Sequence, residues 1–189
     1  MKKPKINYKK IYRTNPETGA YIIGVSLDKY EDLFNEWDPA PFKRKDMDPD
    51  LRQFLSTCET DIPDLEPIEL CFELPESGFN QTKEENAMTG LANYFEYEVA
   101  SIQNELRRIN KRTAIHLLIA IALLSLTTIL NQDMEAPMLF NIFKEGVTIG
   151  AWVFTWEAIS TFFFGRIKIV RRKKQWMRLS QTPITFKSK

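Results

Sequence analysis

Glu157 is the residue with the most chemical consequence in this chain. It stands in Val147–Gly165, VTIGAWVFTWEAISTFFFG, a run otherwise free of charge. An ionisable group at membrane depth is costly and is by default a functional candidate. The single histidine, His116, and Ser125 lie in a second apolar run, Ala114–Leu130, AIHLLIAIALLSLTTIL. Counting inward from Arg112 and Arg166 at equal depth places Glu157 level with Ile121. His116 lies closer to the basic end, so a Glu157–His116 contact needs both side chains to lean, and Ser125 is the alternative hydrogen-bond partner on the other run. Gly146, Gly150, Glu157 and Thr161 recur at helical spacing, and small residues let helices approach closely, so these positions form the expected packing face. Trp152 and Trp156 project elsewhere. Two chemistries fit Glu157: a protonated carboxyl that glues helices together, or one member of a ring of acids that selects cations in an oligomer.

Other candidate chemistry dissolves on inspection. Asp46, Asp48 and Asp50 imitate the start of a calcium loop, but the glycine at the sixth position and the distal glutamate are missing and Pro49 interrupts it. Helix capping accounts for these acids better. One histidine and two cysteines, Cys58 and Cys71, predict no zinc site and no soluble Ser–His triad. Seven glycines, none clustered, offer neither a P-loop nor a dinucleotide fingerprint. No catalytic residue, metal or cofactor is therefore expected, and the chain reads as a non-enzyme.

The elements that must position Glu157 are two helices. Each apolar run is about long enough to cross a hydrocarbon core of roughly 30 Å, and a helix satisfies its own backbone there. The expected hairpin covers residues 113–165, with spans 114–130 and 147–165 and an external connection 131–146. Arg107, Arg108, Lys111 and Arg112 precede the first span, and a dense basic run follows the second. The connection carries only Lys144 against Asp133, Glu135 and Glu145. Positive charge stays inside, so the reading is a multi-pass inner-membrane protein with both termini cytoplasmic. No cleavable signal is seen in the first hundred residues, so the first span acts as the insertion signal.

Charge is segregated behind a formal net of +1. Residues 166–189 form a basic cytoplasmic tail with nine Lys or Arg and no acid. Arg166, Lys168, Arg171, Arg172, Lys173 and Lys174 suit anionic lipid headgroups at about 1 kcal/mol each. Trp176 and Met177 suit an interfacial helix. Membrane lipids rather than nucleic acid are the expected partner of this tail. Residues 28–74 hold fourteen acids against five bases. There Asp38, Asp46, Asp48 and Asp50 mark a surface for a protein partner. Cys58 and Cys71 are expected to be free thiols.

Residues 1–112 predict a cytoplasmic α+β domain: a small, mostly antiparallel sheet, short helices and one long helix, about 82–112. Met1–Lys10 reads as frayed. Lys10–Arg13 and Ala20–Leu27 flank TNPETG as a hairpin. Asp28, with Glu31, caps a short helix through Trp37, with Leu33, Phe34 and Trp37 on its apolar face. Asp48 and Pro49 start a helix through about Thr57, with Leu51, Phe54 and Leu55 on one face. Pro67–Leu74 alternates as a strand, with Cys71 facing away from Leu70 and Phe72. Thr82 and Glu85 form a capping box whose helix runs into the membrane without a break, bent at Gly90 if anywhere. Its stripe Met88, Leu91, Phe95, Val99, Ile102, Leu106, Ile109 packs on the sheet or on a second copy. Pro183–Lys187 is a candidate strand returning to the sheet.

NEWDPAPF (Asn35–Phe42), DMDPDLRQFL (Asp46–Leu55) and GAWVFTWEAIS (Gly150–Ser160) together carry a resemblance. The chain is similar to an uncharacterised prokaryotic family of small two-transmembrane-helix proteins with a cytoplasmic domain. In that group an acidic Asp-Pro-rich helix pair precedes an Arg-rich helix and two spans, the second with a Trp-Glu pair matched here by Trp156 and Glu157. The resemblance implies the architecture and brings no activity with it. The expected function is membrane anchoring or signalling through the cytoplasmic domain, with a protein partner or self-association. The alternative is an oligomeric pore-forming or membrane-disrupting effector gated by that domain.

Overall fold

The computed structural model describes residues 8–130 and 137–189. The expected fraying of Met1–Lys10 falls mostly outside these residues, as does the first part of the 131–146 connection. The elements in chain order are α1 (Tyr8–Ile11), β1 (Arg13–Thr14), β2 (Tyr21–Ser26), α2 (Pro49–Asp61), β3 (Ile68–Leu74), α3 (Gln81–Leu130), α4 (Met138–Ser160), α5 (Arg166–Ser180) and β4 (Ile184–Ser188). The chain divides into two compact units. The first joins residues 1–100 to 174–189; the second is residues 101–173.

In the first unit the strands are ordered β1-β2-β3-β4. β1 and β2 are antiparallel, joined through the 14–19 turn, where Gly19 takes φ +70°. β2–β3 and β3–β4 are both parallel. The sheet is mixed rather than mostly antiparallel. A parallel pair needs a long crossover, and two are available: residues 27–67, carrying α2, and residues 75–183, carrying α3 to α5. The hairpin signal at TNPETG is local and visible in sequence; the crossovers are not. β3 keeps the expected alternation: Ile68, Leu70, Phe72 and Leu74 are buried, while Glu69 and Glu73 on the other face are half-buried. Cys71, in the middle of that second face, is 5% exposed, as the middle of a strand flanked by parallel partners tends to be covered.

Pro183–Lys187 was expected to close the sheet, and β4 does so. Leu70 pairs with Ile184 and Leu74 with Ser188. Phe186 stacks on Phe72 with centroids 5.3 Å apart, and Tyr30 leans on the same ring. Ile23, Leu33, Leu55, Leu91 and Phe95 complete the core, each large side chain contributing about 1.5–3 kcal/mol on burial.

Several local expectations move. Lys10 and Ile11 belong to α1, so the first hairpin strand shrinks to two residues. Tyr30–Leu33 is a single 3₁₀ turn. Asp32, not Glu31, reaches back, its carboxylate accepting from the Asp28 and Lys29 N–H groups at 3.1 and 3.0 Å. Leu33 and Phe34 are buried but Trp37 is 93% exposed, because the turn ends before Trp37 can join that face. Asp48 caps α2 through the Asp50 and Leu51 N–H groups, with Pro49 at the first position, and the helix continues to Asp61. Leu51 and Leu55 are buried, while Phe54 remains half exposed.

Asn80 caps α3 by accepting from Lys83 N–H at 3.0 Å, two residues ahead of the expected Thr82. The helix then continues through Leu130. Gly90 lets Phe34 and Phe42 press against the helix: a Cβ there would lie 2.7 Å from Phe34 Cζ and 3.0 Å from the Phe42 carbonyl. Leu91 and Phe95 of the apolar stripe are buried in this unit, whereas Met88 is 40% exposed.

Trp176 is a core residue, 2% exposed. It packs edge-on to Tyr94 and against Phe95, and Arg52 lies 5.5 Å over its ring. The expected interfacial role is thus overturned. A basic helix can bury one aromatic face while its lysines and arginines stay wet, and composition alone does not reveal that face.

Candidate functional site

The second unit holds the two long apolar runs. α3 runs antiparallel to α4 and α5 within it. Leu123 lies beside Gly150, His116 faces Phe154, Arg112 faces Glu157 and Ile109 lies beside Gly165. Farther along, Arg172 bonds Glu105 and Lys173 bonds Gln103. Among the described residues, two helices are long and apolar enough to cross a membrane, one within Gln81–Leu130 and one within Met138–Ser180.

Small residues make the seam. Ala120 and Thr127 on α3, and Ala151 and Ala158 on α4, are buried. Each pair is one heptad apart, the spacing of a helix-packing stripe. Large apolar side chains point outward instead: Leu118, Leu139, Trp152 and Trp156 are each 66–81% exposed. Of the expected packing face, Gly150 lies beside Leu123, but a Cβ on Gly146 would meet nothing within 4 Å. The packed stripe is turned by one residue from that face, because alanines rather than glycines fill it.

Glu157 Oε1 lies 3.7 Å from Arg112 Nη2 and accepts a 3.3 Å hydrogen bond from Thr161 Oγ1. Neither Ser125 nor His116 reaches it. Ser125 is exposed. His116 lies 5.9 Å from the Phe154 ring, with Nδ1 buried and unpartnered. Equal counting from Arg112 and Arg166 misplaces Glu157 because the two residues are not level. Gly165, beside Arg166, packs at Ile109, so Glu157 falls within a turn of Arg112 rather than opposite Ile121. A π-helical turn, Thr161–Gly165, follows directly. Such turns widen the helix and often mark functional positions. Arg112 had the signal of a charged residue at a helix entrance, and its reach along the neighbouring helix was the part not counted.

The basic residues divide. Arg172, Lys173 and Lys174 are engaged by Glu105, Gln103 and Asp64. Arg166 lies 5.1 Å over the Phe162 ring. Among the described residues, Arg166, Lys168 and Arg171 have no acidic partner.

In the first unit a cleft of about 450 Å³ is lined by Asp38, Arg44, Asp46, Asn93 and Tyr97, among others. Asp38 is occupied with the loop itself, accepting from Ala40 and Asp46 N–H groups at 2.9 and 2.7 Å. Those two bonds hold its carboxyl below the ordinary aspartate range. Asp48 serves α2, so of the four expected partner-surface acids Asp46 and Asp50 keep side chains outside such bonds. Trp37 stands beside this loop, its backbone N–H donating to Asn35 Oδ1 at 3.0 Å and its ring in solvent. Burial pushes the Cys58 thiol up, which leaves it a packing residue rather than a nucleophile. Both cysteines are free. Comparison with protein-family models, curated proteins and solved structures finds no match to this chain.

Proposed function

We propose that the chain is a two-span integral protein of the inner membrane, with both termini cytoplasmic, and that it works without catalysis as an anchor for a protein-docking domain. The observation that carries this reading is the pairing of β4 with β3. The chain leaves the sheet after β3, runs through two apolar helices and comes back beside β3. This pairing supports placing the segments before and after the spans on one side, as two crossings would. The inside-out distribution in the second unit supports the same reading. Helices that are apolar on their outer faces and small at their seam suit lipid.

The docking function draws on Trp37. An exposed tryptophan rimmed by charge is the residue type that anchors protein interfaces. Here Asp38, Arg44, Lys45 and Asp46 surround the neighbouring cleft. A photo-crosslinking amino acid placed at the exposed position 36 in intact cells gives discrete adducts in the membrane fraction, and Trp37→Ser removes them. Absence of adducts, or adducts indifferent to Trp37→Ser, counts against docking. The pore alternative has less support, since Glu157 finds Arg112 and Thr161 within one chain.

A further inference from the structure

The groove between α3 and α4 has a polarity along its length. It encloses about 430 Å³, within the roughly 300–1,000 Å³ range of small-molecule sites. Asn110, Thr113 and Arg166 line one end; Leu117, Ala158 and Ile159 line the other. The antiparallel helices make this ordering unavoidable, because early α3 residues meet late α4 residues. No Asp or Glu lines the groove.

Three features at the polar end ask for an anion. Arg166 has no acidic partner among the described residues and is held over the Phe162 ring at 5.1 Å. A guanidinium fixed in this way presents its fork to a phosphate. Thr113 Oγ1 is buried without a hydrogen-bond partner, and such an orphan costs free energy until something fills it. Arg107, Arg108 and Lys111 on the same stretch of α3 also lack acidic partners among the described residues, adding positive potential.

We infer that this groove holds one anionic phospholipid, its phosphate at Arg166, Asn110 and Thr113 and an acyl chain along Leu117, Ala158 and Ile159. The inference rests on the two-span reading. In that reading the polar end faces the cytoplasmic leaflet, where the basic clusters lie. It goes beyond general attraction of a basic tail to the surface, because it names a site with one cationic end and one apolar end.

The test uses the full chain purified in detergent, with phosphatidylglycerol or phosphatidylcholine of equal chain length added, and counts bound lipid by native mass spectrometry. One phosphatidylglycerol is retained in preference to phosphatidylcholine, and excess inorganic phosphate does not displace it. Arg166→Gln lowers the preference about fivefold, the worth of one cation near an anionic surface. Ala114→Trp, introduced at an exposed position on the groove wall, removes the bound lipid while circular dichroism stays unchanged. Equal retention of both lipids, displacement by phosphate, or a preference that survives both substitutions overturns the site. Carbonate extraction of membranes separates the two levels. A protein released by carbonate overturns the two-span reading and the site with it; a protein retained without lipid preference overturns the site alone.

Discussion

Arg178 Nη1 donates to Glu59 Oε1 at 3.0 Å, and both side chains are largely buried. The same guanidinium donates to the carbonyls of Ile62, Pro63 and Glu66 at 3.1, 2.9 and 2.6 Å. One side chain from α5 thus fastens the loop between α2 and β3. Removing one partner of a buried pair costs about 3–5 kcal/mol, so Arg178→Ala lowers the stability of the first unit by that order. Arg178→Lys does not rescue it, because one ammonium cannot reproduce the fork. Thermal unfolding of the detergent-solubilised chain checks both; an unchanged midpoint in either contradicts the clamp.

Trp176 separates packing from lipid contact. Trp176→Ala costs about 3–5 kcal/mol, as buried tryptophan truncations do, and leaves membrane retention as it was. An interfacial tryptophan gives the opposite pair of results. Limited proteolysis reads the first quantity and carbonate extraction the second.

Gly90 sets a competition between propensity and space. Alanine gains about 1 kcal/mol of helix propensity, yet its Cβ meets the Phe34 ring and the Phe42 backbone, and overpacking costs about 1–3 kcal/mol. The backbone contact cannot rotate away, so Gly90→Ala destabilises. A raised midpoint for Gly90→Ala in thermal unfolding counts against so close an approach.

Arg112 and Glu157 neutralise each other if both enter the bilayer. A lone charge costs about 2.5–3.5 kcal/mol at the centre of a span on insertion scales, and less near its end, where this pair lies. Arg112→Leu therefore impairs insertion more than Arg112→Leu combined with Glu157→Leu, measured as the fraction resisting carbonate. Equal impairment means that the two residues act independently.

Acid acts on the sheet through carboxylates held in their charged form. Hydrogen bonds from Thr18 and Asn15 lower Glu69, Lys83 lowers Glu31 and Lys174 lowers Asp64. A depressed folded value means that the contribution is present above the unfolded carboxylate range, about pH 4. It is lost as pH falls through the folded values. Hydrogen exchange at Gly19 and Ala20 accelerates in that window as Thr18 and Asn15 release Glu69. Tyr94 works at the other extreme: burial raises it, so its contribution is intact below about pH 10 and declines as pH rises from there.

What the sequence made legible was local or compositional. Asp48-Pro49 starts α2, Pro183–Lys187 supplies most of β4, and two apolar runs are helical. Each is written in neighbouring residues: a cap, an alternation, a run without charge. Sheet direction was not legible, because it depends on crossovers that span 27–67 and 75–183. Trp176 was misread because its surroundings in sequence are basic while its neighbours in space, Tyr94 and Phe95, lie on another helix. The partner of Glu157 was missed for a similar reason. Helix register depends on which alanines interlock, and a helical pair can slide by a turn without changing either helix's composition.

The place of β4 in the chain has a consequence for how the protein is made. β3 leaves the ribosome before α3, α4 and α5, while the strand that covers its edge follows all three. Until then Phe72 lacks Phe186, the Trp176 position on Tyr94 and Phe95 is empty, and the open edge of β3 can recruit other chains. The domain cannot be completed by a chain stalled within its apolar helices. A chain released before β4 therefore leaves that edge of β3 uncovered.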